Sequence, residues 1–386
     1  MRDHPVTLDH TSAPAGRIGA IDALRGFVML LMLVDHVRDV FYLHAHLRDP
    51  MDLGVTETGL VMTRLTSHLC APVFILLTGL SASLYAGKHG TGAAARFLLT
   101  RGLFLIGLEL TLVNLAWTGH ILPPVLYLQV IWAIGLGMVA LAGLLWLPRP
   151  ALAAVAALIM LGHNLLDGIV LAPDQAGYAM WSILHQRGLL ALPWGAARTS
   201  YPVLPWIGVA AAGYVLGPWF AIAPEARRRR LLALAAAALA GFTVLRGLNG
   251  YGDPVPWQAG STLGTTILSF LNVTKYPPSA DFLLLTLGLG LWLLALFEAL
   301  PAARLAWLRV FGGAPLFFYL VHLWLLRGLY DLAFAAGLTG PSGKVELGSP
   351  AQLWLVALVL GPPLYLACRW MVGLKRRAKH PILSYL

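Results

Sequence analysis

Long apolar stretches separated by short polar loops dominate the chain. A helix needs about 20 apolar residues to cross the hydrocarbon core of a bilayer. Two shorter pieces, 179–194 and 260–272, mix apolar residues with aromatic, basic or hydroxyl groups, which predicts interfacial or re-entrant segments there. The pattern predicts an all-α, polytopic integral membrane protein with ten membrane-spanning helices. These spans cover residues 19–43, 61–87, 95–117, 124–146, 151–172, 202–221, 230–248, 279–300, 312–336 and 352–374.

The composition supports this class of protein. Of the 386 residues, 58% are hydrophobic and only 11% are charged, against roughly 25% charged residues in an average soluble domain. The net charge of +10 comes from basic residues that flank the apolar stretches, and the sequence contains no nucleic-acid-binding motif. We therefore expect membrane lipid, and not nucleic acid, as a partner. The two cysteines, Cys70 and Cys368, both lie in apolar stretches, so we expect neither a disulfide framework nor a metal site.

Positive charge alternates from loop to loop. The loops on one side carry, together with the two terminal segments, fifteen Lys or Arg residues, and the loops on the other side carry five. The positive-inside rule then places both termini in the cytoplasm, which requires an even number of spans and agrees with ten. We predict a cytoplasmic arm over 1–18, a transmembrane domain over 19–374 and a basic cytoplasmic tail over 375–386. The first apolar stretch runs into charged residues, so we expect no cleaved signal peptide.

Ionisable residues within the spans concentrate on the predicted outer side. Each costs about 2.5–3.5 kcal/mol on insertion scales, so a dozen in one leaflet indicates a polar chamber that opens outward. The alternative is a set of pairs that only join helices, and Asp35–Arg38 and His36–Asp39 have a suitable spacing of three residues. The outer group comprises Asp35, His36, Arg38, Asp39, Arg64, His68, Glu109, Asn114, His163, Asn164, Asp167, Arg246, Asn249, His322 and Arg327.

The sequence around His68 predicts an interrupted helix. Arg64 lies one helical turn before His68, and Pro72 lies four residues after it. A proline clashes with the carbonyl group four residues earlier, so the helix should break beside His68. A freed carbonyl next to a histidine and an arginine suits an active site, although such kinks also occur in membrane helices that have no chemistry.

A smaller polar group lies at the predicted inner rim. Asp22 and Arg25 are three residues apart and should pair, and Arg96 and Arg101 begin the third span. Anchoring of the spans by positive residues accounts for these cations. A cytosolic donor that carries phosphate groups is the alternative, because phosphates bind to such cations.

Several short motifs resemble the membrane family named for heparan-α-glucosaminide N-acetyltransferase, and more closely its uncharacterised bacterial branch. The resemblance covers residues 17–335, and its motifs are specific as a set, although none is specific alone. The motifs are Asp22-Ala23-Leu24-Arg25-Gly26, Asp35-His36, Thr63-Arg64 with Thr66 and His68, Cys70-Ala71-Pro72-Val73-Phe74 with Gly79, Asn249 with Tyr251-Gly252-Asp253, Lys275-Tyr276-Pro277-Pro278-Ser279, and Tyr319 with His322.

The resemblance implies a transmembrane acyltransferase. An enzyme of this kind takes an acetyl group from cytosolic acetyl-CoA and passes it to the amine of a terminal glucosamine on the far side, with a histidine at the centre. For this chain it implies acetyl-CoA as co-substrate, a carbohydrate or glycoconjugate acceptor with an amine or hydroxyl group, and the bacterial plasma (inner) membrane as location. The inner-rim cations Arg25, Arg96 and Arg101 would then bind the CoA phosphates. A homodimer is left open.

One departure from the family pattern affects the choice of histidine. Enzyme-like members carry a His-Ala-x-Trp motif before the second span, whereas here only His44-Ala45 matches it. We therefore favour His36 and His68 as catalytic histidines, acting as a general base or a transient acyl carrier. Arg64 or Lys275 would stabilise the oxyanion. The full prediction is His68, His36, Arg64 and Asp35 as catalytic residues and His44, Asp52, Asn249, Lys275 and His322 as substrate-binding residues.

Two other classes of protein fit the same polar residues. One is a proton-coupled transporter or permease in which histidines and carboxylates form a proton relay. The other is a non-catalytic membrane sensor. An acyltransferase needs a narrow tunnel from a cytosolic CoA site to the outer chamber, whereas a transporter needs two gates around a midplane site.

Overall fold

The computed structural model describes residues 18–42, 51–52 and 56–378. Most of these residues are helical. The α-helices are α1 Gly19–Val37, α2 Thr58–Ser67, α3 Cys70–His89, α4 Thr91–Leu108, α5 Asn114–Thr118, α6 Val130–Leu144, α7 Arg149–Gly162, α8 Tyr178–Leu184, α9 Leu204–Val215, α10 Pro224–Leu248, α11 Leu263–Leu271, α12 Ala280–Ala299, α13 Ala306–Gly312, α14 Pro315–Ala335 and α15 Pro350–Arg377. Short π-helical segments cover Arg38–Tyr42 and Glu109–Val113, 3-10 segments cover His163–Leu166 and Gly217–Ala221, and the strands are β1 Val125–Leu128, β2 Leu189–Leu192 and β3 Gly195–Thr199.

Within the described residues, eight helical segments are long and apolar enough to cross a membrane, which confirms a polytopic, mainly α-helical membrane protein. The other two predicted spans correspond to α1, which has 19 residues and carries Asp22, Arg25 and Asp35, and to α6, which has only 15 residues. The count of ten spans and the cytoplasmic termini stay predictions. The eight segments are Thr58–His89, Thr91–Thr118, Arg149–Leu166, Leu204–Ala221, Pro224–Leu248, Ala280–Ala299, Pro315–Ala335 and Pro350–Arg377.

Helix α1 lies at the centre of the bundle. It packs against α2, α3, α12, α13, α14 and α15, and it buries polar residues such as Asp22, Asp35 and His36 together with its apolar ones. A helix surrounded on all sides has no lipid-facing surface, so its charged groups contact protein instead of hydrocarbon. We refer to the end of the bundle near His36 as the outer end and the end near Arg25 as the inner end, following the predicted orientation.

Small residues bring several helix pairs into close contact. Gly79 of α3 lies against the backbone of α9, where a Cβ atom on Gly79 would overlap the carbonyl oxygen of Ala210. In the same helix, Gly87 has open space around the position of a Cβ atom. Close backbone approach at small residues is the usual way in which membrane helices associate.

Gly79→Ala should destabilise the protein, and Gly87→Ala should not. The added methyl group at position 79 forces α3 away from α9, and overpacking of this kind costs about 1–3 kcal/mol. At position 87 the same change improves helix propensity. Thermal unfolding of the two purified variants checks the prediction, because both sit on α3 and add the same atom. Equal melting temperatures for the two variants would contradict the close α3–α9 contact.

The predicted helix break beside His68 is confirmed. Helix α2 ends at Ser67 and α3 begins at Cys70, so residues 68 and 69 form a turn between them. Pro72 lies in the first turn of α3, where a missing backbone N–H group is tolerated. Both turn residues keep helical dihedral angles, and Arg64, in the last turn of α2, contacts Asp35 of α1.

The segment around 179–194 forms more regular structure than the sequence predicts. Helix α8 is followed by strands β2 and β3, which pair antiparallel, and β3 also pairs parallel with β1. Strand β1 lies within the predicted span 124–146, so the helix of that span begins only at Val130. A sheet satisfies its backbone hydrogen bonds between strands, which explains how this segment can end a span without continuing as a helix. The predicted piece 260–272 contains the short helix α11, which has no buried residues.

Candidate active site

A cavity of about 310 Å³ lies between α1, α3, α4, α6 and α14. Its inner end carries the cations Arg25, Arg101 and Lys375, and its outer end carries His36 and Lys275. Arg25 and His36 are eleven residues apart on one helix, so the cavity extends over about 16 Å at 1.5 Å per residue. Its middle is mainly apolar, and the side chains there include Met32, Phe74, Leu105, Ile134 and Met138.

His36 lies in a hydrogen-bonded chain with His322. The His36 Nδ1 and His322 Nε2 atoms are 2.7 Å apart, and the rings are 16° from parallel, as an in-line N–H···N bond allows. His322 Nδ1 lies 2.7 Å from the carbonyl oxygen of Phe318. A carbonyl oxygen only accepts, so His322 carries its proton on Nδ1, and its Nε2 accepts from His36 Nδ1. When both histidines are neutral, the proton of His36 is therefore on Nδ1. His36 Nε2 then keeps its lone pair, as a base or nucleophile requires.

Ion pairs fix the side chain of Asp35, the residue before His36. Both Asp35 oxygens accept from Arg64 Nη1, at 2.7 and 2.9 Å, and Asp35 Oδ1 also accepts from Arg38 at 2.9 Å. Arg38 donates in addition to Asp39 at 2.5 Å. The predicted Asp35–Arg38 pair is therefore present, whereas the His36–Asp39 alternative is wrong, because His36 bonds to His322 and Asp39 to Arg38. Two carboxylates balance two guanidinium groups, so the network fixes the end of α1 without excess charge.

The loop that contains Lys275 closes the outer end of the cavity. Lys275 is 7% exposed, and its ammonium group lies 5.4 Å from the centre of the Tyr276 ring. Among the described residues, no carboxylate lies within salt-bridge distance of Lys275, so its charge is available to a bound group. Arg64 donates to the Tyr276 hydroxyl, which lies 3.0 Å from the Tyr201 hydroxyl. Burial opposes ionisation of Tyr276, but the cations Lys275 and Arg64 outweigh it and hold the Tyr276 pKa below its ordinary value.

Asp253 positions the Lys275 loop. Its carboxylate accepts from the Thr274 backbone N–H at 2.7 Å, from the Thr274 hydroxyl at 2.8 Å and from the Ser279 hydroxyl at 2.6 Å. These bonds fix the two ends of the segment that presents Lys275 and Tyr276. The Tyr251-Gly252-Asp253 and Lys275–Ser279 motifs are thus parts of one structure.

Asp253→Asn should lower catalytic turnover more than it lowers substrate binding at the inner end. The amide nitrogen cannot accept from Thr274 or Ser279, so the loop loses a fixed position and Lys275 moves relative to His36. We expect turnover to fall about tenfold, since one charge-assisted hydrogen bond contributes about 1.5–3 kcal/mol. Steady-state kinetics with acetyl-CoA, the co-substrate that the sequence resemblance implies, check this, and Asp174→Asn, at an exposed carboxylate, is the matched control. A fall in turnover of the same size in both variants would contradict the positioning role.

The structure brings some of the predicted site residues together and separates others. Asp35, His36, Lys275, Arg25 and Arg101 line the cavity. Arg64 and His322 lie directly behind the lining residues, in contact with Asp35 and His36.

His68 does not line the cavity. It is 3% exposed, its ring lies 5.2 Å from the Phe282 ring, and its Nδ1 atom has no hydrogen-bond partner within the described part of the chain. The two histidines that the sequence favours equally therefore differ in structure, because only His36 reaches the space where a substrate can bind.

Three further predicted residues lie away from the cavity, and one cannot be placed. Arg96 and Asp52 are exposed and do not line it. Asn249 is exposed, has a positive φ of 55° at the end of α10, and bonds through its side chain to the Trp257 backbone. This arrangement ends a helix and gives Asn249 a conformational role. His44 lies outside the described residues.

Sequence reasoning missed two residues of the cavity. Lys375 lines its inner end and donates to the Gly313 carbonyl oxygen at 3.2 Å, although the sequence assigns it to a basic tail. Tyr201 lines the outer end and carries no motif of its own. Only the contact with Tyr276, 75 positions away, identifies it.

Comparison with protein families identifies the class of this site. The family model described as heparan-alpha-glucosaminide N-acetyltransferase, catalytic, matches residues 17–249, more than half of the chain. The chain belongs to this family. The match includes Asp35, His36, Arg64 and His68, and it ends before Lys275. A comparison with curated proteins finds no match. Family membership identifies a transmembrane acetyltransferase fold, with acetyl-CoA and a glycan-type acceptor as the general substrates of the family.

Proposed function

We propose that this protein transfers an acetyl group from acetyl-CoA, bound at the inner end of the cavity, to an amine or hydroxyl group of a sugar at the outer end. The observation that supports this function is a cavity that has the cations Arg25, Arg101 and Lys375 at one end and His36 at the other. The mainly apolar middle suits the pantetheine arm of CoA, which carries the thioester away from the phosphates. An enzyme that binds both substrates from the same aqueous side would not need a cavity whose cations and histidine lie about half a bilayer apart.

Arg25, Arg101 and Lys375 are the proposed contacts of the CoA phosphates. Arg25 also donates to Asp22 and to the Leu77 carbonyl oxygen, so its side chain is held in place before the donor binds. Arginine recognises phosphate oxygens by paired hydrogen bonds. Arg96, predicted for the same role, is exposed and does not line the cavity, so it is not among the proposed contacts.

His36 is the proposed catalytic residue. In one route, Nε2 attacks the thioester carbonyl, the C–S bond breaks, and the electron pair leaves with the CoA thiolate. The Nδ1 proton then passes to His322 Nε2, which leaves a neutral acetyl-imidazole that the acceptor attacks. In the other route, Nε2 takes the proton of the acceptor amine or hydroxyl while the acceptor attacks the thioester directly. In both routes Lys275 stabilises the oxyanion.

Incubation of the purified protein with isotopically labelled acetyl-CoA tests the function. We expect release of the CoA thiol and appearance of labelled acetyl on added glucosamine. Mass spectrometry of the rapidly quenched protein separates the two routes, because only the first places one acetyl group on the peptide that contains His36. If the protein released no CoA and labelled no acceptor, but conducted protons in liposomes, the proton-coupled transporter would be favoured instead.

A further inference from the structure

Three potential metal ligands meet at the outer end of α7, away from the cavity. His163 begins the 3-10 segment that follows α7, Asp167 follows that segment, and His185 follows α8. One ligand atom from each residue lies within 4.8 Å of the other two. His163 Nδ1 and His185 Nε2 are 3.4 Å apart, and His185 Nε2 and Asp167 Oδ1 are 3.5 Å apart. Two ligands of a tetrahedral zinc ion with bonds of 2.0–2.1 Å would lie about 3.3 Å apart.

Hydrogen bonding within the cluster leaves these atoms incompletely satisfied. His185 Nε2 lies 2.9 Å from the His163 carbonyl oxygen, which accounts for one proton. The same proton cannot also serve His163 Nδ1 and Asp167 Oδ1, and 3.4–3.5 Å is too long for a good hydrogen bond. His163 Nε2 is buried and has no partner among the described residues. A cation that displaces the His185 Nε2 proton would bind lone pairs of His185 Nε2, His163 Nδ1 and Asp167 Oδ1 together.

Neighbouring residues hold the three side chains in place. Both histidines are nearly buried, at 2% and 3% exposure. Trp181 lies parallel to the His185 ring, with centres 5.0 Å apart, and Asn164 donates to Asp167 Oδ2 at 2.8 Å. The Asn164 contact occupies one carboxylate oxygen and turns the other towards His185. Such surrounding contacts orient the ligands of metal sites and contribute to affinity.

We propose that His163, His185 and Asp167 bind a divalent transition-metal ion, with zinc as the best fit. Two imidazoles and a carboxylate are typical zinc ligands, and water completes a fourth position. His163 binds through Nδ1 and His185 through Nε2. The ion replaces the Nε2 proton that His185 donates to the His163 carbonyl oxygen in the metal-free cluster, and in the bound state the ring protons reside on His163 Nε2 and His185 Nδ1. The ion ties α8 to the end of α7 and is structural, which makes the proposal independent of acyl transfer. The sequence does not predict this site because its two histidines lie 22 positions apart in different segments.

Metal binding by the purified, tag-free chain tests this proposal. After removal of metal with EDTA, the protein is dialysed against Zn²⁺, and bound zinc is measured by mass spectrometry. The chain has 12 histidines, so the informative quantity is the difference between variants. We expect wild type to bind about one ion per chain more than His185→Gln, since structural zinc sites bind tightly at neutral pH. Titration with Co²⁺ should give the visible absorption of a tetrahedral complex in wild type only.

Two further variants keep the outcome interpretable. His120→Gln removes an exposed outer-loop histidine and should bind zinc as wild type does. Asp167→Asn keeps the shape of the side chain and should weaken zinc binding about tenfold or more, which provides a test if His185→Gln fails to fold. Zn²⁺ should raise the melting temperature of wild type and not of His185→Gln. Equal zinc retention by wild type, His185→Gln and Asp167→Asn would overturn the proposal.

Discussion

His36→Gln should lower acetyl transfer by a factor of about 10²–10⁴, the range that a positioned general base contributes. Glutamine has a similar length and can still bond to His322, so α1 should keep its packing. It has no basic nitrogen at the position of Nε2, so it can neither take a proton nor carry an acetyl group. Release of CoA thiol from acetyl-CoA by the purified variant is the measurement.

The matched control for this variant is His68→Gln. Both histidines are buried near the outer end, but only His36 lines the cavity. We therefore expect His68→Gln to keep turnover within about tenfold of wild type, provided that thermal unfolding shows that both variants fold. The reverse pattern, with an active His36→Gln and an inactive His68→Gln, would transfer the catalytic role to His68.

The hydropathy of the chain is sufficient to predict most of the fold. Eight of the ten predicted spans coincide with helices that are long and apolar enough to cross a membrane. The predicted bounds depart from the structure where a span begins in other structure. Strand β1 occupies the beginning of the predicted span 124–146 because β3, some 70 positions later, supplies its hydrogen-bond partners. A pairing between such distant segments leaves no periodic signal in either one.

The candidate site was partly predictable for a physical reason. Charged residues inside an apolar helix are costly, so Asp35 and His36 are conspicuous in the sequence of α1. The partner of each one is not predictable, since the His36–His322 bond joins residues 286 positions apart. Positive charge near the inner rim also serves orientation in the membrane. Sequence alone therefore could not tell Lys375, which lines the cavity, from Arg96, which does not.

The motifs that resemble the family contain both residues that can act on a substrate and residues that only fix the backbone. Asn249 and Asp253 belong to the same motif set as Lys275, but Asn249 ends a helix and Asp253 fixes a loop. Only Lys275 reaches the cavity. The distinction depends on where each side chain points, which a short motif does not encode.

Lys275→Met should lower turnover by a factor of about 10²–10³, the usual effect of removing one oxyanion donor. Methionine keeps an unbranched side chain of similar length, so the buried position should stay filled. The charge is lost, and Arg64 cannot replace it because Arg64 does not line the cavity and is held by Asp35 and Tyr276. Binding of acetyl-CoA at the inner end should change little, so the effect should appear in kcat and much less in the apparent affinity for CoA.

A second substitution at Lys275 separates the effect of its charge from the effect of its shape. Lys275→Arg keeps the positive charge and should recover part of the activity that Lys275→Met loses. Lys344→Met removes an exposed lysine from another outer loop and should leave turnover unchanged. If Lys275→Arg and Lys275→Met were equally inactive while both stayed folded, the shape of the side chain would matter more than its charge. Lys275 would then fill space at the outer end of the cavity and not stabilise an oxyanion.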